Sequence, residues 1–158
     1  EGRAAFTRWF ELQAGVTLQQ SRYKEPEFWS EDAEVPPVRR MFRTPDAYGY
    51  FTASFKPVRN FTADLSGTCT GSMLGQHMAG SGVAQDVAVS TPSFFDMNIR
   101  LSYDVRIYKE ITMQLYGGVQ NLFNAYQKDF DKGVDRDSGY IYGPSLPRSW
   151  FVGAKFSF

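Results

Sequence analysis

Phe95-Asp-Met-Asn-Ile-Arg-Leu-Ser-Tyr-Asp-Val105 alternates without a break over eleven residues. Phe95, Met97, Ile99, Leu101, Tyr103 and Val105 fall on one face of an extended chain, and Asp96, Asn98, Arg100, Ser102 and Asp104 on the other. A period of two is the signature of a β-strand between an apolar and a wet environment. A sandwich strand alternates too, but it rarely runs this long, whereas a tilted membrane strand needs roughly 9 to 11 residues.

Five further segments repeat the pattern. Ile111, Met113, Leu115, Gly117 and Val119 alternate with Thr112, Gln114, Tyr116, Gly118 and Gln120. Upstream, Phe61 to Met73 and Gly49 to Lys56 do the same, Phe10 to Gln19 opens the series, and Trp150 to Phe158 closes it. The spacing thus predicts an all-β chain of six antiparallel strands. No 3.6-residue period competes with it.

The connections fall into two kinds. Residues 24–46, 75–92 and 125–147 are long and rich in Pro, Gly, Asp and Ser, while Pro57-Val-Arg-Asn60 and Tyr108-Lys-Glu110 are tight turns. Membrane barrels have short periplasmic turns and longer extracellular loops. On that pattern the three loops face the medium and Phe158 ends at the periplasmic rim. Phe55, Phe61, Tyr108 and Phe158 would line the inner interface, and Phe94, Phe123, Tyr142 and Trp150 the outer one. An aromatic-rich sandwich core is the soluble alternative.

Composition fits the membrane reading. Aromatic residues make up 16 % of the chain, yet its mean hydropathy is −0.38. No stretch approaches the roughly 20 apolar residues of a transmembrane helix. A formal net charge of +0 with interspersed signs gives no footprint for a nucleic acid partner. The single Cys69 can form neither an internal disulfide nor a thiolate metal site by itself. Glu1 opens in polar sequence with no apolar leader, so the chain is expected to be mature, truncated or cleaved.

The last forty or so residues read Gly118-Val-Gln-Asn-Leu-Phe-Asn124, Tyr140-Ile-Tyr-Gly-Pro144, Pro147-Arg148 and Phe151-Val-Gly-Ala-Lys-Phe-Ser-Phe158. In this order they resemble the C-terminus of TonB-dependent outer-membrane receptors. There, an Asn-Leu-Phe-Asn end to the penultimate strand, a Pro-Arg entry to the last strand and a terminal aromatic recur together. Arg43-Thr-Pro-Asp-Ala-Tyr-Gly-Tyr50 extends the likeness upstream, toward receptors of Bacteroides-type bacteria.

The resemblance implies a bacterial outer-membrane location and makes residues 1–158 the last six strands of a 22-stranded transmembrane barrel. Six strands alone would leave two open edges in lipid, so another polypeptide must complete the barrel. The expected partners are the remaining barrel strands and plug, TonB acting through the plug, the lipid bilayer, the barrel-assembly machinery and a surface lipoprotein. Phe156 and Phe158 would form the assembly signal.

Among chemistry-bearing residues, Asp129-Phe-Asp-Lys-Gly-Val-Asp-Arg-Asp137 is the main candidate, because oxygen ligands two residues apart around a Gly suit Ca²⁺. Asp129, Asp131, Asp135 and Asp137 would be its ligands. Tyr140 stands where an EF-hand needs Glu, and a plain solvated or Arg136-paired acidic loop is the alternative. His77, near Ser81 and Asp86, is expected to be a solvated loop residue rather than part of a catalytic triad. No nucleophile elbow, phosphate loop or paired metal motif appears, so no catalytic residues or enzymatic activity are expected.

By resemblance, the function is TonB-driven import. Phe28, Trp29, Arg43, Tyr140 and Tyr142 are the candidate ligand contacts in the loops. The Asp-Phe-Asp and Tyr-Gly-Pro pattern looks closer to receptors for cobalamin, haem or ferric siderophores than to glycan importers of the starch-utilisation type. A glycan or peptide importer, and a passive pore built from several copies, are the alternatives.

Overall fold

The computed structural model describes every residue except Ser145, and every side chain except that of Phe6. It is all-β, with no helix among the described residues. Its body is a seven-stranded antiparallel sheet made of β1 (Gly2–Thr7), β2 (Phe10–Leu18), β5 (Ala47–Val58), β6 (Phe61–Thr70), β9 (Phe94–Tyr108), β10 (Ile111–Gln120) and β11 (Ser149–Ser157). The strands lie side by side in chain order, each antiparallel to its neighbours.

All six segments with alternating sequence are strands. The count of six is corrected to seven, because Gly2–Thr7 pairs with β2 as an additional edge strand. Gly-Arg-Ala-Ala-Phe-Thr has two alanines and a glycine, which carry little β preference and little contrast between faces. The long loops also contain structure of their own. β3 (Arg22–Glu27) pairs with β4 (Val38–Arg40), and β7 (Leu74–His77) pairs with β8 (Val87–Ser90).

Tight connections at residues 8–9, 59–60 and 109–110 gather at one end of the sheet, and the three long loops at the other. Lys109 takes a positive φ of 39°, and the register shifts between Ile111 and Thr112, so this turn closes with a bulge. At the short-turn end Trp9 packs edge-on against Phe55, with ring centroids 5.2 Å apart.

Pairing register turns the alternation of each strand into two opposed faces. Leu12, Ala53, Leu65, Ile99, Val119 and Trp150 form one cross-strand row. One residue along, Glu11, Ser54, Asp64, Arg100 and Gly118 form a row on the opposite face. The polar face is internally bonded. Ser54 donates to Asp64 at 2.6 Å, Gln114 donates to Asp104 at 2.9 Å, Arg3 pairs with Glu11, and the Arg100 guanidinium lies 4.5 Å from the Tyr116 ring centroid.

Among the described residues no second layer covers the apolar face. Among the described residues only Val35, Val119 and Tyr140 are buried hydrophobics, while Val16, Leu18, Leu101, Leu115, Trp150 and Val152 are exposed. Burying one such side chain is worth roughly 1.5–3 kcal/mol, so this face calls for an apolar neighbour. Its rings use the small residues beside them: Phe51 lies across Gly67 and stacks at 6.4 Å on Phe95.

A Cβ on Gly67 would meet the Phe51 ring at 2.4 Å. Gly67→Ala is expected to displace that ring and lower stability by about 1–3 kcal/mol, as overpacking does. Gly2→Ala, with nothing within 4 Å of the added carbon, should be close to neutral. Denaturant titration in detergent micelles checks the pair.

Candidate functional site

The three long loops knit together at one end of the sheet. Arg43, held at a φ of 54°, donates its backbone N–H to Leu74 and its guanidinium to the Gly139 carbonyl, both at 2.7 Å. It thereby ties the first loop to the second and third. Asp86 accepts from Ser30 at 2.6 Å and from the Ala79 N–H at 2.7 Å. These bonds, the Ser30 hydroxyl first, hold its carboxyl below the ordinary carboxylate range.

His77 contradicts the expectation of a solvated loop histidine. It is only 7 % exposed, at the end of β7, with Nε2 3.0 Å from both oxygens of Asp131. Its ring lies on Tyr140, nearly parallel at 8° with centroids 3.7 Å apart. The His77 hydrogen bond is the main cause that holds the Asp131 carboxyl below its usual range. Ser81 donates to the Lys132 carbonyl at 2.6 Å, so both Ser81 and Asp86 are engaged with partners other than His77.

Gln127, which the sequence reading passed over, organises the third loop. It is 1 % exposed; its Nε2 donates to the Tyr140 carbonyl at 3.0 Å, and its Oε1 accepts from the Tyr142 and Gly143 N–H groups at 2.9 and 3.4 Å. One buried amide therefore satisfies three backbone groups. Asn121, also buried, donates to the carbonyls of Ala125 and Leu146 and accepts from the Ala125 N–H. A glutamine in a polar loop has no periodic signal, so only its position in the fold reveals it.

Both tyrosine hydroxyls converge on one carboxylate. Tyr142 donates to Asp129 Oδ1 at 2.6 Å and Tyr140 to Asp129 Oδ2 at 3.1 Å. Burial pushes the Asp129 carboxyl up, but the hydrogen bonds, led by Tyr142, outweigh it and hold the group below its usual range. Burial, and then the Asp129 carboxylate, push the Tyr140 phenol up to about 12 and move Tyr142 in the same direction.

The four aspartates proposed as Ca²⁺ ligands do not gather into one four-carboxylate site, although the Asp137 N–H donates to Asp131 at 3.1 Å. Asp129 faces the two tyrosines and Asp131 faces His77. Asp137 accepts from the Met78 and Gly139 N–H groups at 2.8 Å, and Asp135 offers its carbonyl to Ser81 at 2.9 Å. Arg136 donates to the Gly133 carbonyl at 3.3 Å. Among the described residues no three His, Cys, Asp or Glu are placed to hold a metal ion.

Of the expected ligand contacts, Arg43, Tyr140 and Tyr142 come together in the loop assembly, with Tyr140 buried inside it. Trp29 sits apart against Phe42 at 5.2 Å and donates to the Pro36 carbonyl at 3.3 Å, while Phe28 is exposed. Phe156 pairs across from Met113 on the last strand, and Phe158 follows it; both are exposed. No family model and no curated protein matches this chain.

Gln127→Met keeps the volume but leaves three backbone groups without their partner. A loss of about 2 kcal/mol or more is expected, since each buried unsatisfied group costs about 1–3 kcal/mol. Limited proteolysis should then cut residues 125–147 severalfold faster, with little change at the turn around residues 59–60.

Proposed function

We propose that this chain forms the C-terminal part of the 22-stranded barrel of a TonB-dependent outer-membrane receptor, completed by the remaining barrel strands and a plug. On this reading it serves the active import of a scarce nutrient, cobalamin or a metal chelate such as haem or a ferric siderophore. It catalyses no reaction.

The observation that carries the reading is the uncovered apolar face, flanked by two free sheet edges, on a meander whose short turns and long loops are segregated to opposite ends. A bilayer supplies the apolar neighbour, and further strands supply partners for the edges of β1 and β11. The polar face, with Asp96, Arg100, Asp104 and Gln114, then borders the lumen and the plug. Phe156 and Phe158 stand at the periplasmic end, where the barrel-assembly machinery would engage them. The likeness of the Asn121-Leu-Phe-Asn124 and Pro147-Arg148 elements to that receptor family supports the finer part of the reading.

In such a receptor the ligand rests outside, between loops and plug, and TonB, energised by the inner-membrane proton gradient, draws on the plug to open a path. This chain contributes the loops, part of the wall and part of the lumen surface. The interlocked loops offer a preorganised floor, and exposed Phe28 and part-exposed Tyr142 are the side chains placed to meet a ligand or a capping lipoprotein. The free edges of β1 and β11 also favour one rival, a passive pore of several copies joined edge to edge.

Uptake of labelled cobalamin and labelled ferric chelates by the native cell separates the two. Loss of this chain should abolish uptake of one ligand class, and loss of TonB should do the same. Uptake that requires the chain but persists without TonB identifies the pore.

A further inference from the structure

Acidic side chains on the polar face of the sheet find partners within it: Glu11 is matched with Arg3, Asp64 accepts from Ser54 and Asp104 from Gln114. Asp96 on β9 departs from this pattern. Its Oδ1 is buried and has no hydrogen-bond partner among the described residues. A carboxylate oxygen withdrawn from water without a donor is costly, and native proteins keep few such groups unless something else answers them.

Asp96 also lines a pocket of about 350 Å³ at the loop end of the sheet. Asn98, Gln120 and Ser149 line it from β9, β10 and β11, and Pro144 and Pro147 from the third loop. One bridging water, with a share of roughly 30 Å³, does not fill such a space. Small-molecule sites start at roughly 300 Å³. The walls are held in place: Asn98 Oδ1 accepts from the Asn121 N–H at 2.9 Å, Asn121 donates to the Leu146 carbonyl at 3.0 Å, and Ser149 donates to Gln120 Oε1 at 3.3 Å. The Pro144 carbonyl accepts from the Gln127 N–H at 3.0 Å, which ties the loop side of the pocket to the buried glutamine.

We infer that this pocket is a binding site for a small organic cation that presents a guanidinium or ammonium group to Asp96. Charge selects the class. The lining consists of amides, prolines, a leucine and a serine around the Asp96 carboxylate, with no basic side chain to offset it, so an anion is repelled and a cation is matched. The chemistry of the donor set argues against a metal ion, because among the described residues no three His, Cys, Asp or Glu gather to hold one. An organic cation brings its own N–H donors, and charge-assisted bonds to a carboxylate are roughly twice as strong as neutral ones. A guanidinium adds a planar fork that can engage both carboxylate oxygens. Every wall residue belongs to this chain, so the inference does not rest on the import reading, and either can fail while the other stands.

The test uses the purified full chain in a neutral detergent at neutral pH and follows butylguanidinium binding by calorimetry, with butylurea, its uncharged isostere, as the matched control. Saturable binding of one butylguanidinium per chain is expected, about tenfold tighter than butylurea or more. Asp96→Asn should weaken binding by about tenfold or more. Because it removes a buried charge that has no partner, it should leave the folded band on a non-boiled gel unchanged. Asp104→Asn, on the same face but bonded to Gln114, should leave binding intact. Asp96→Ala serves if Asp96→Asn does not fold, and the comparison of the two ligands on the unaltered chain decides the matter whatever the variants do. No saturable binding, equal binding of butylurea, or full binding by a folded Asp96 variant would each overturn the assignment.

Discussion

A sheet that is apolar on one side, polar on the other and open at both edges asks for partners beyond its own strands. The exposed leucines, valines and aromatics gain little from the chain itself, because among the described residues no second layer packs on them. The edges of β1 and β11 present backbone N–H and C=O groups that need partners, at several kcal/mol each in an apolar setting. Under the proposed function both demands would be met together by a sheet that continues into a closed barrel within a bilayer. Strand length, the segregation of turns from loops and the aromatic ends all take their meaning from that one constraint.

The loops contrast with the sheet. Their stability is polar and local, with Gln127 and Asn121 satisfying backbone groups of the third loop, and Arg43, Asp86 and the His77–Asp131 pair linking one loop to the next. Such bonds are directional, so they fix positions that apolar packing would leave loose. The outcome is a rigid polar cap on a sheet whose own packing must come from outside. Tyr140 joins the two roles: its ring is buried against His77, while its hydroxyl reaches the solvent-facing Asp129.

Period-two patterning made the sheet legible, since a residue's face follows from its parity once the strand is recognised. All six alternating segments are strands, and the register places their apolar sets in common cross-strand rows. β1 escaped because Ala4 and Ala5 erase the contrast between faces. The loop hairpins escaped because three- to six-residue strands in Pro- and Gly-rich sequence leave no sustained period. At the candidate site, composition pointed to Asp129, Tyr140 and Tyr142, but not to their convergence, which depends on a buried glutamine. The even spacing of the aspartates suggested one Ca²⁺ shell; the folded loop instead turns each toward a different partner. His77 looked solvated because it lies in a stretch that holds Gly75, Gly80 and Ser81, whereas its neighbours in space come from a segment more than fifty residues away.

The most direct measurement is spin-label accessibility along residues 99–105 of the protein in lipid bilayers, one label at a time, with oxygen and a polar nickel chelate as paired relaxants. The account predicts a strict two-residue oscillation. Labels at positions 99, 101, 103 and 105 should favour oxygen, and those at 100, 102 and 104 the chelate or neither. Accessibility without alternation, or alternation in the opposite phase, would contradict the claim that the face bearing Leu101 meets lipid.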